Sequence, residues 1–425
     1  MVVEQRNLLG LAVQLFFCTF ASMKKLYLFN PDNDLALASG LDYYTPPPLA
    51  AQLSRDLQML PAWWADDGSF ILTRDPLPDS HWAQHLSNAF GINIDLIDRN
   101  HLQNHVLSYQ PWGWNMSLRN HLLSCCVGND QLPDKAQIAK YRELSHRRTT
   151  IAIHSRLTEI IGYSACPSPV ELFTISQVEQ FAAKHPRCFL KAPWSSSGKG
   201  IFRPTGTPND NRTFHQWASG ILQRQGSIIA EVPLNKQQDF AMEFCCCNGK
   251  ASFVGYSIYY NDPHNSFDHG LVATEPTLHN ILCNQLGNNA DHRINQIKYA
   301  LETILSQDIA PHYDGFVGID MLIFADETGE KHINACVEMN LRCTMGVATC
   351  IIGNRFMSPD SIGRFHVEYH KSPFDVAQYM AKKLDEHPPT IEFIDDFPKI
   401  KSGTIVMAPV YRDSRYCAYI EAESK

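Results

Sequence analysis

Two neighbouring segments constrain this chain more than any others. Residues 316–324, Phe-Val-Gly-Ile-Asp-Met-Leu-Ile-Phe, form an apolar run with one acid, Asp320, at the centre. In Val337-Glu338-Met339-Asn340-Leu341-Arg342 polar and apolar residues alternate, so a strand sets Glu338, Asn340 and Arg342 on one face. The link 325–331 has turn chemistry, and the two segments are expected to pair as a hairpin. If that hairpin is centred on Gly329, Asp320 lies opposite Glu338, each nine residues from the centre. Two carboxylates side by side in an apolar sheet repel unless a cation sits between them. Oxygen donors, with the Asn340 carbonyl as a third, suit magnesium bridging phosphate oxygens. The rival is a polar stripe facing water, which leaves a lone Asp in an apolar run without a reason.

A second segment bears on phosphate. Residues 189–193 are expected to form a strand ending in Trp194-Ser195-Ser196-Ser197-Gly198-Lys199-Gly200, after which residues 201–203 resume strand character. Small residues let backbone N–H groups close on phosphate oxygens, and Lys191 and Lys199 add positive charge. A Walker A loop needs glycine where Pro193 stands, Ser or Thr where Gly200 stands, and a helix afterwards, so this loop is not one. Its own rival is a surface hairpin with a Ser/Gly tip.

A strand–loop–strand flap with a lysine on the incoming strand, followed downstream by an Asp and then Glu-x-Asn, resembles the ATP-grasp superfamily. The resemblance implies an α/β (α+β) chain: an ATP-grasp fold of two α+β subdomains preceded by a small α/β domain. It implies Asp320, Glu338 and Asn340 as metal ligands, and Lys191 on the nucleotide phosphates. Ser195, Ser196, Ser197, Gly198, Lys199 and Gly200 would cover those phosphates, and Arg342 would lie against the transferred phosphate or the substrate. Residues 228–234 match the adenine hinge, with backbone from Glu231 to Leu234 on the base and Asp239 or Lys236 near the ribose. Glu243 falls where another acid often approaches the site. Ahead of the flap, Arg147 or Arg148 stands where such enzymes usually carry a lysine, exchanging a point charge for a planar fork. Gly318 departs from the pattern, because certain members carry an arginine two residues before the Asp.

The activity implied is that of an ATP- and magnesium-dependent, ADP-forming carboxylate–amine (or thiol) ligase working through an acyl phosphate. Its substrates would be ATP with a small-molecule or peptide carboxylate and an amine. The alternatives are a kinase-like phosphotransferase of the same fold and a catalytically silent nucleotide-binding module.

At 425 residues the chain exceeds one ordinary core. The expected units are 23–144, an N-terminal α/β domain; 145–230, the smaller lid subdomain; 231–365, the larger subdomain; and 366–425, an extension packed on the core. Residues 1–22 read either as a weak signal-like leader or as a segment ahead of a true start at Met23; the second is preferred, because an ATP-consuming enzyme belongs in the cytoplasm. The net charge of -8 is spread without blocks, which argues against nucleic acid or an anionic membrane as partner, while a homodimer stays open. Thirteen cysteines, an odd number without a CxxC pair, read as reduced thiols. Cys245, Cys246 and Cys247 are consecutive on an expected strand and cannot all reach one metal. In the loop 30–34, Asp32, Asn33 or Asp34 holds a substrate amine or, the preferred reading, forms an Asx turn and N-cap. Trp63, Trp64, Trp112 and Trp114 are expected in the core, and His264 and His269 in a polar loop that covers substrate.

Overall fold

The structure is a computed structural model and describes residues 23–195, 200–204, 212–261 and 267–425. Strands β1 (Lys25–Leu28), β2 (Ser69–Leu72), β3 (Ile94–Ile97) and β4 (Ser108–Pro111) form a parallel sheet in the order β3-β2-β1-β4. Parallel neighbours need crossover segments, and the helix Pro76–Phe90 between β2 and β3 shows how the sequence writes one. The Asp75 side chain accepts from the Leu77 N–H, Pro76 opens the first turn, and Gly91 ends the helix at φ +67°.

The second sheet is antiparallel and ordered β5-β8-β6-β7, from β5 (Val170–Leu172), β6 (Phe189–Lys191), β7 (Ile201–Phe202) and β8 (Ile228–Glu231). Helices Ile175–Lys184 and Arg212–Gln225 close its apolar face through Val178, Ala182, Phe214 and Ala218. The third sheet has nine strands in the order β13-β12-β9-β10-β11-β14-β17-β16-β15. They are β9 (Asn235–Cys247), β10 (Lys250–Asn261), β11 (Phe267–Val272), β12 (Gly315–Ala325), β13 (Lys331–Asn340), β14 (Ser361–Tyr369), β15 (Thr390–Ile394), β16 (Phe397–Val406) and β17 (Tyr416–Ser424).

Alternation along β9 and β12 decides what each face of this sheet does. Phe240, Met242, Phe244, Ile319 and Met321 point to one side and pack on helices Arg148–Ile161 and Ala290–Asp308. The intervening Asp239, Glu243 and Asp320 point to the other. Farther across, that other face becomes apolar and is covered by the helix Met345–Phe356 and by Trp63 and its neighbours. The Trp63 indole N–H donates to the Met407 carbonyl at 2.7 Å and ties the N-terminal segment to the C-terminal strands. Trp63, Trp64 and Trp112 are buried, as expected of core residues, and Trp114 is partly buried against the core.

The architecture is the mixed α/β one expected. The helices Arg212–Gln225, Glu275–Leu286 and Met345–Phe356 and the strands β11, β14 and β15 go beyond what the sequence pattern announces, and His269 stands on β11 rather than in a loop. His264 lies outside the described residues, as does 1–22. The described cysteines are free thiols, and among the described residues no helix is long and apolar enough to cross a membrane.

The β12–β13 hairpin contains an irregularity that sets its register. Ala325 pairs with Lys331 and Leu322 with Asn334, but Asp320 pairs with Glu338, so β13 carries two extra residues between these points. His154 of the helix Arg148–Ile161 and Tyr163 just beyond that helix take up backbone groups of β13 at and beside this irregularity. The Tyr163 hydroxyl accepts from the Ala335 N–H at 3.0 Å and donates to the Ile333 carbonyl at 2.8 Å, while His154 Nε2 donates to the Cys336 carbonyl at 2.8 Å. Replacing Tyr163 by Phe strands a buried N–H and should cost about 1–3 kcal/mol in urea unfolding; an unchanged midpoint would show that the bulge does not need this support.

Candidate active site

Asp320 and Glu338 are direct cross-strand partners, and Asn340 pairs with Gly318 one step along the same face. The Asn340 Nδ2 donates to Asp320 at 3.0 Å, and its Oδ1 accepts from Arg342 at 3.1 Å, so one amide bridges an acid and a cation. Arg342 in turn grips Asp34, with Nε at 2.8 Å and Nη2 at 2.7 Å from the same carboxylate oxygen. This planar contact reaches from the end of β13 to the first helix of the chain, Asn33–Ser39.

That use of Asp34 overturns the preferred reading of the loop 30–34. Asp32 occupies the N-cap position but makes no capping hydrogen bond. The Asn30 side chain instead donates across to the Gly113 carbonyl at 2.8 Å, and Asp34 takes the arginine. Longer-range partners outcompete the local turn.

Arg147 and Arg148 differ in direction. Arg148 is about half exposed at 54 % and pairs with Glu171 at 2.8 Å. Arg147, at 5 %, points inward: Nη2 lies 2.6 Å from Glu338, and Nη1 donates to the Ala192 carbonyl and to the Ser195 hydroxyl at 2.7 Å. Lys191, on β6, is also buried and pairs with Glu231 at 2.7 Å. Arg147, at the start of the helix packed under the larger sheet, and Lys191, on the smaller sheet, thus both act on Glu338.

The flap closes where the loop returns to β7. The Ala192 N–H donates to the Gly200 carbonyl at 2.8 Å. A Cβ at Gly200 would stand 2.3 Å from that of Ser195, so only glycine permits this approach. Ser196, Ser197, Gly198 and Lys199 lie outside the described residues. In the hinge region the Leu234 carbonyl accepts from the Lys236 N–H at 2.9 Å, and Asp239 is held by Lys236 at 2.6 Å and Asn261 at 3.0 Å. A cleft between the two sheets is lined by Asp34, Ser145, Trp194, Ser195, Glu338 and Asn340.

Glu243 explains the departure at Gly318. It is 1 % exposed and lies beside Gly318 in the sheet; a Cβ at Gly318 would come within 2.6 Å of one of its carboxylate oxygens, and one at Gly346 within 2.0 Å of the other. A side chain at 318 would require Glu243 to shift from where it stands. Sequence reasoning placed Glu243 near the site but had no means to see its enclosure by two glycines.

Burial and company set the charges. Burial, then the facing Glu338, pushes Asp320 up to about 7. Burial, then Asp320, pushes Glu243 up to about 8. Burial also works against ionised Glu338, but Arg147 and then Lys191 hold it below the usual carboxylate range. Burial disfavours charged Arg342, and Asp34 more than offsets this. Among the described residues, neither Asp320 nor Glu243 has a cation within ion-pair distance.

Because Glu243 keeps its proton to higher pH folded than unfolded, folding takes up a proton over that interval, and stability falls as pH rises from about 4.5 towards 8. Without divalent cations, the stability of Glu243→Gln relative to the parent should therefore grow over that interval. A difference independent of pH would mean that Glu243 titrates normally.

No family model and no curated protein matches the sequence. Solved structures do. The β,γ-ATP complex of biotin carboxylase from Campylobacter jejuni is similar at a TM-score of 0.50 and 12% identity, over 94% of this chain and 87% of that one. N5-carboxyaminoimidazole synthetase from Staphylococcus aureus, complexed with ADP, gives a TM-score of 0.48 at 12% identity over 96% and 95%. The first of these likenesses shows a shared fold.

Proposed function

The chain has the ATP-grasp fold, and on that footing we propose that it is an ATP- and magnesium-dependent, ADP-forming carboxylate–amine (or thiol) ligase. One observation carries the proposal: Asp320 faces Glu338 across the β12–β13 hairpin and, among the described residues, has no cation within ion-pair distance. A mostly apolar sheet tolerates that pair if a divalent ion completes it.

The donor set fits magnesium. Two carboxylates and the Asn340 amide are hard oxygen donors, and in Asp320, pushed up to about 7, burial and the facing Glu338 outweigh the nearby Arg342. Magnesium held by Asp320, Glu338 and Asn340 would supply charge neutralisation to nucleotide phosphate oxygens. We assign 145–230 to the subdomain that covers the phosphates and 231–365 to the one that carries the acids.

The chain's own residues supply the rest. Lys191 and Arg147 are each paired with a carboxylate, and each can exchange it for phosphate oxygens without leaving its pocket. Ser195 and the loop to Gly200 close over those oxygens, and backbone from Glu231 to Leu234, with Asp239, borders the base and ribose. Arg342, fixed in orientation by Asp34, lies beside the metal acids and stabilises negative charge developing on the reacting groups. An oxygen of the substrate carboxylate attacks the γ-phosphorus, and ADP leaves. An amine or thiol then attacks the acyl carbon of the mixed anhydride, loses its proton, and inorganic phosphate departs. Such chemistry is mostly positioning and charge neutralisation. An enzyme that consumes ATP in this way acts in the cytoplasm.

A screen of mixed carboxylates with amines and thiols tests the reading by measuring ADP, free phosphate and the new bond together. Equal amounts of all three are expected, with turnover falling about 10²-fold or more in Glu338→Gln. Phosphate retained on the product would make the protein a kinase-like phosphotransferase; full activity in Glu338→Gln would remove the metal assignment.

A further inference from the structure

A second cluster of donor atoms lies away from the cleft, where the helix Glu275–Leu286 hands over to the helix Ala290–Asp308. His279 and Cys283 are four residues apart on the first helix and so share a face. The connection turns sharply, with Gly287 at φ +83° and Asn289 at φ +55°, and brings Asp291, in the first turn of the second helix, against that face. His279 Nε2 lies 2.9 Å from Asp291 Oδ1 and 3.4 Å from Cys283 Sγ, and the donor atoms of all three lie within 4.8 Å of one another. Asn295 donates to the same Asp291 oxygen at 3.0 Å and fixes the carboxylate.

An imidazole–carboxylate hydrogen bond accounts for one edge of this triangle. The thiol makes a second, so that three different donor groups gather at one point. An independent observation lies beside it. The cluster opens on a cavity of about 270 Å³ lined by Tyr256, Glu275, His279, Asn280, Asp291 and Lys298. Tyr256 is 1 % exposed, and among the described residues its hydroxyl has no hydrogen-bond partner; neither has His279 Nδ1. Unpartnered buried polar atoms at a polar cavity point to a ligand or ordered water there.

We propose that His279 Nε2, Cys283 Sγ and Asp291 Oδ1 bind one divalent cation of the zinc type, with the fourth coordination position facing the cavity. Imidazole, thiolate and carboxylate together select a borderline-soft ion over magnesium, and three protein donors with an open position make a four-coordinate site. Binding requires the neutral imidazole to carry its proton on Nδ1, leaving Nε2 free, and the thiol to lose its own proton to solvent as the ion enters. The ion clamps the helix pair that packs beneath β9 and β10.

Cobalt(II) titrated into the chelator-treated full chain without nucleotide reads the site directly, because a thiolate ligand gives a charge-transfer band in the near ultraviolet. A single equivalent is expected to produce that band together with strong visible bands of four-coordinate geometry, and zinc is expected to displace both. Cys283→Ser should abolish the charge-transfer band, and Asp291→Asn, at an exposed helix start, should weaken binding by about tenfold or more. Glu338→Gln should leave both intact, separating this site from the proposed magnesium site. No charge-transfer band, a band undiminished in Cys283→Ser, or unchanged affinity in Asp291→Asn would overturn the assignment.

Discussion

Everything at the cleft depends on the placement of Asp320 against Glu338. Two residues of bulge in β13 create that pairing, and the side chains of His154 and Tyr163 hold the bulge by taking up backbone groups at and beside it. A regular hairpin continued from the turn would have set Asp320 opposite Cys336. The helix Arg148–Ile161 therefore does two things at once. Its body braces the hairpin from the apolar face, and Arg147 at its N-terminal end reaches Glu338.

The surrounding charges form a set of exchangeable pairs. Arg147 lies with Glu338, Lys191 with Glu231, and Arg342 with Asp34, each within 2.7 Å. Buried charges without partners are costly, so each cation keeps an acid as its counterpart when no anion is bound. Asp320 and Glu243 are the acids outside these pairs, and their raised pKa values record it. Gly318 belongs to the same arrangement: Glu243 fills the space beside it, and the cations near the acids come from other positions, Arg147 beside Glu338 and Arg342 just past the end of β13.

The acid pair, the flap and six of the nine strands of the large sheet could be seen in the sequence, because alternation and a lone Asp in an apolar run are local patterns. Counting from Gly329 yields the correct pair for an incomplete reason. The pairing of Ala325 with Lys331 centres the turn on Thr328, and the bulge makes up the difference. What stayed hidden was long-range. Nothing near Asp34 in sequence announces Arg342, which lies 308 residues away, and the inward turn of Arg147 rather than Arg148 depends on where Glu338 and Glu171 fall. The helix Glu275–Leu286 did carry a signal, since Leu278, Leu282 and Leu286 recur at helical spacing and are buried. Its place beside an apparent substrate loop obscured it.

The central claim is that the Asp320–Glu338 pair holds the metal through which nucleotide binds. Calorimetric titration of ATP into the protein and into Asp320→Asn, each with and without magnesium, tests it most directly. The account predicts that magnesium tightens ATP binding to the parent protein by about tenfold or more, and that Asp320→Asn loses this gain while still binding metal-free ATP through Lys191 and Arg147. An equal magnesium enhancement in both proteins would contradict it.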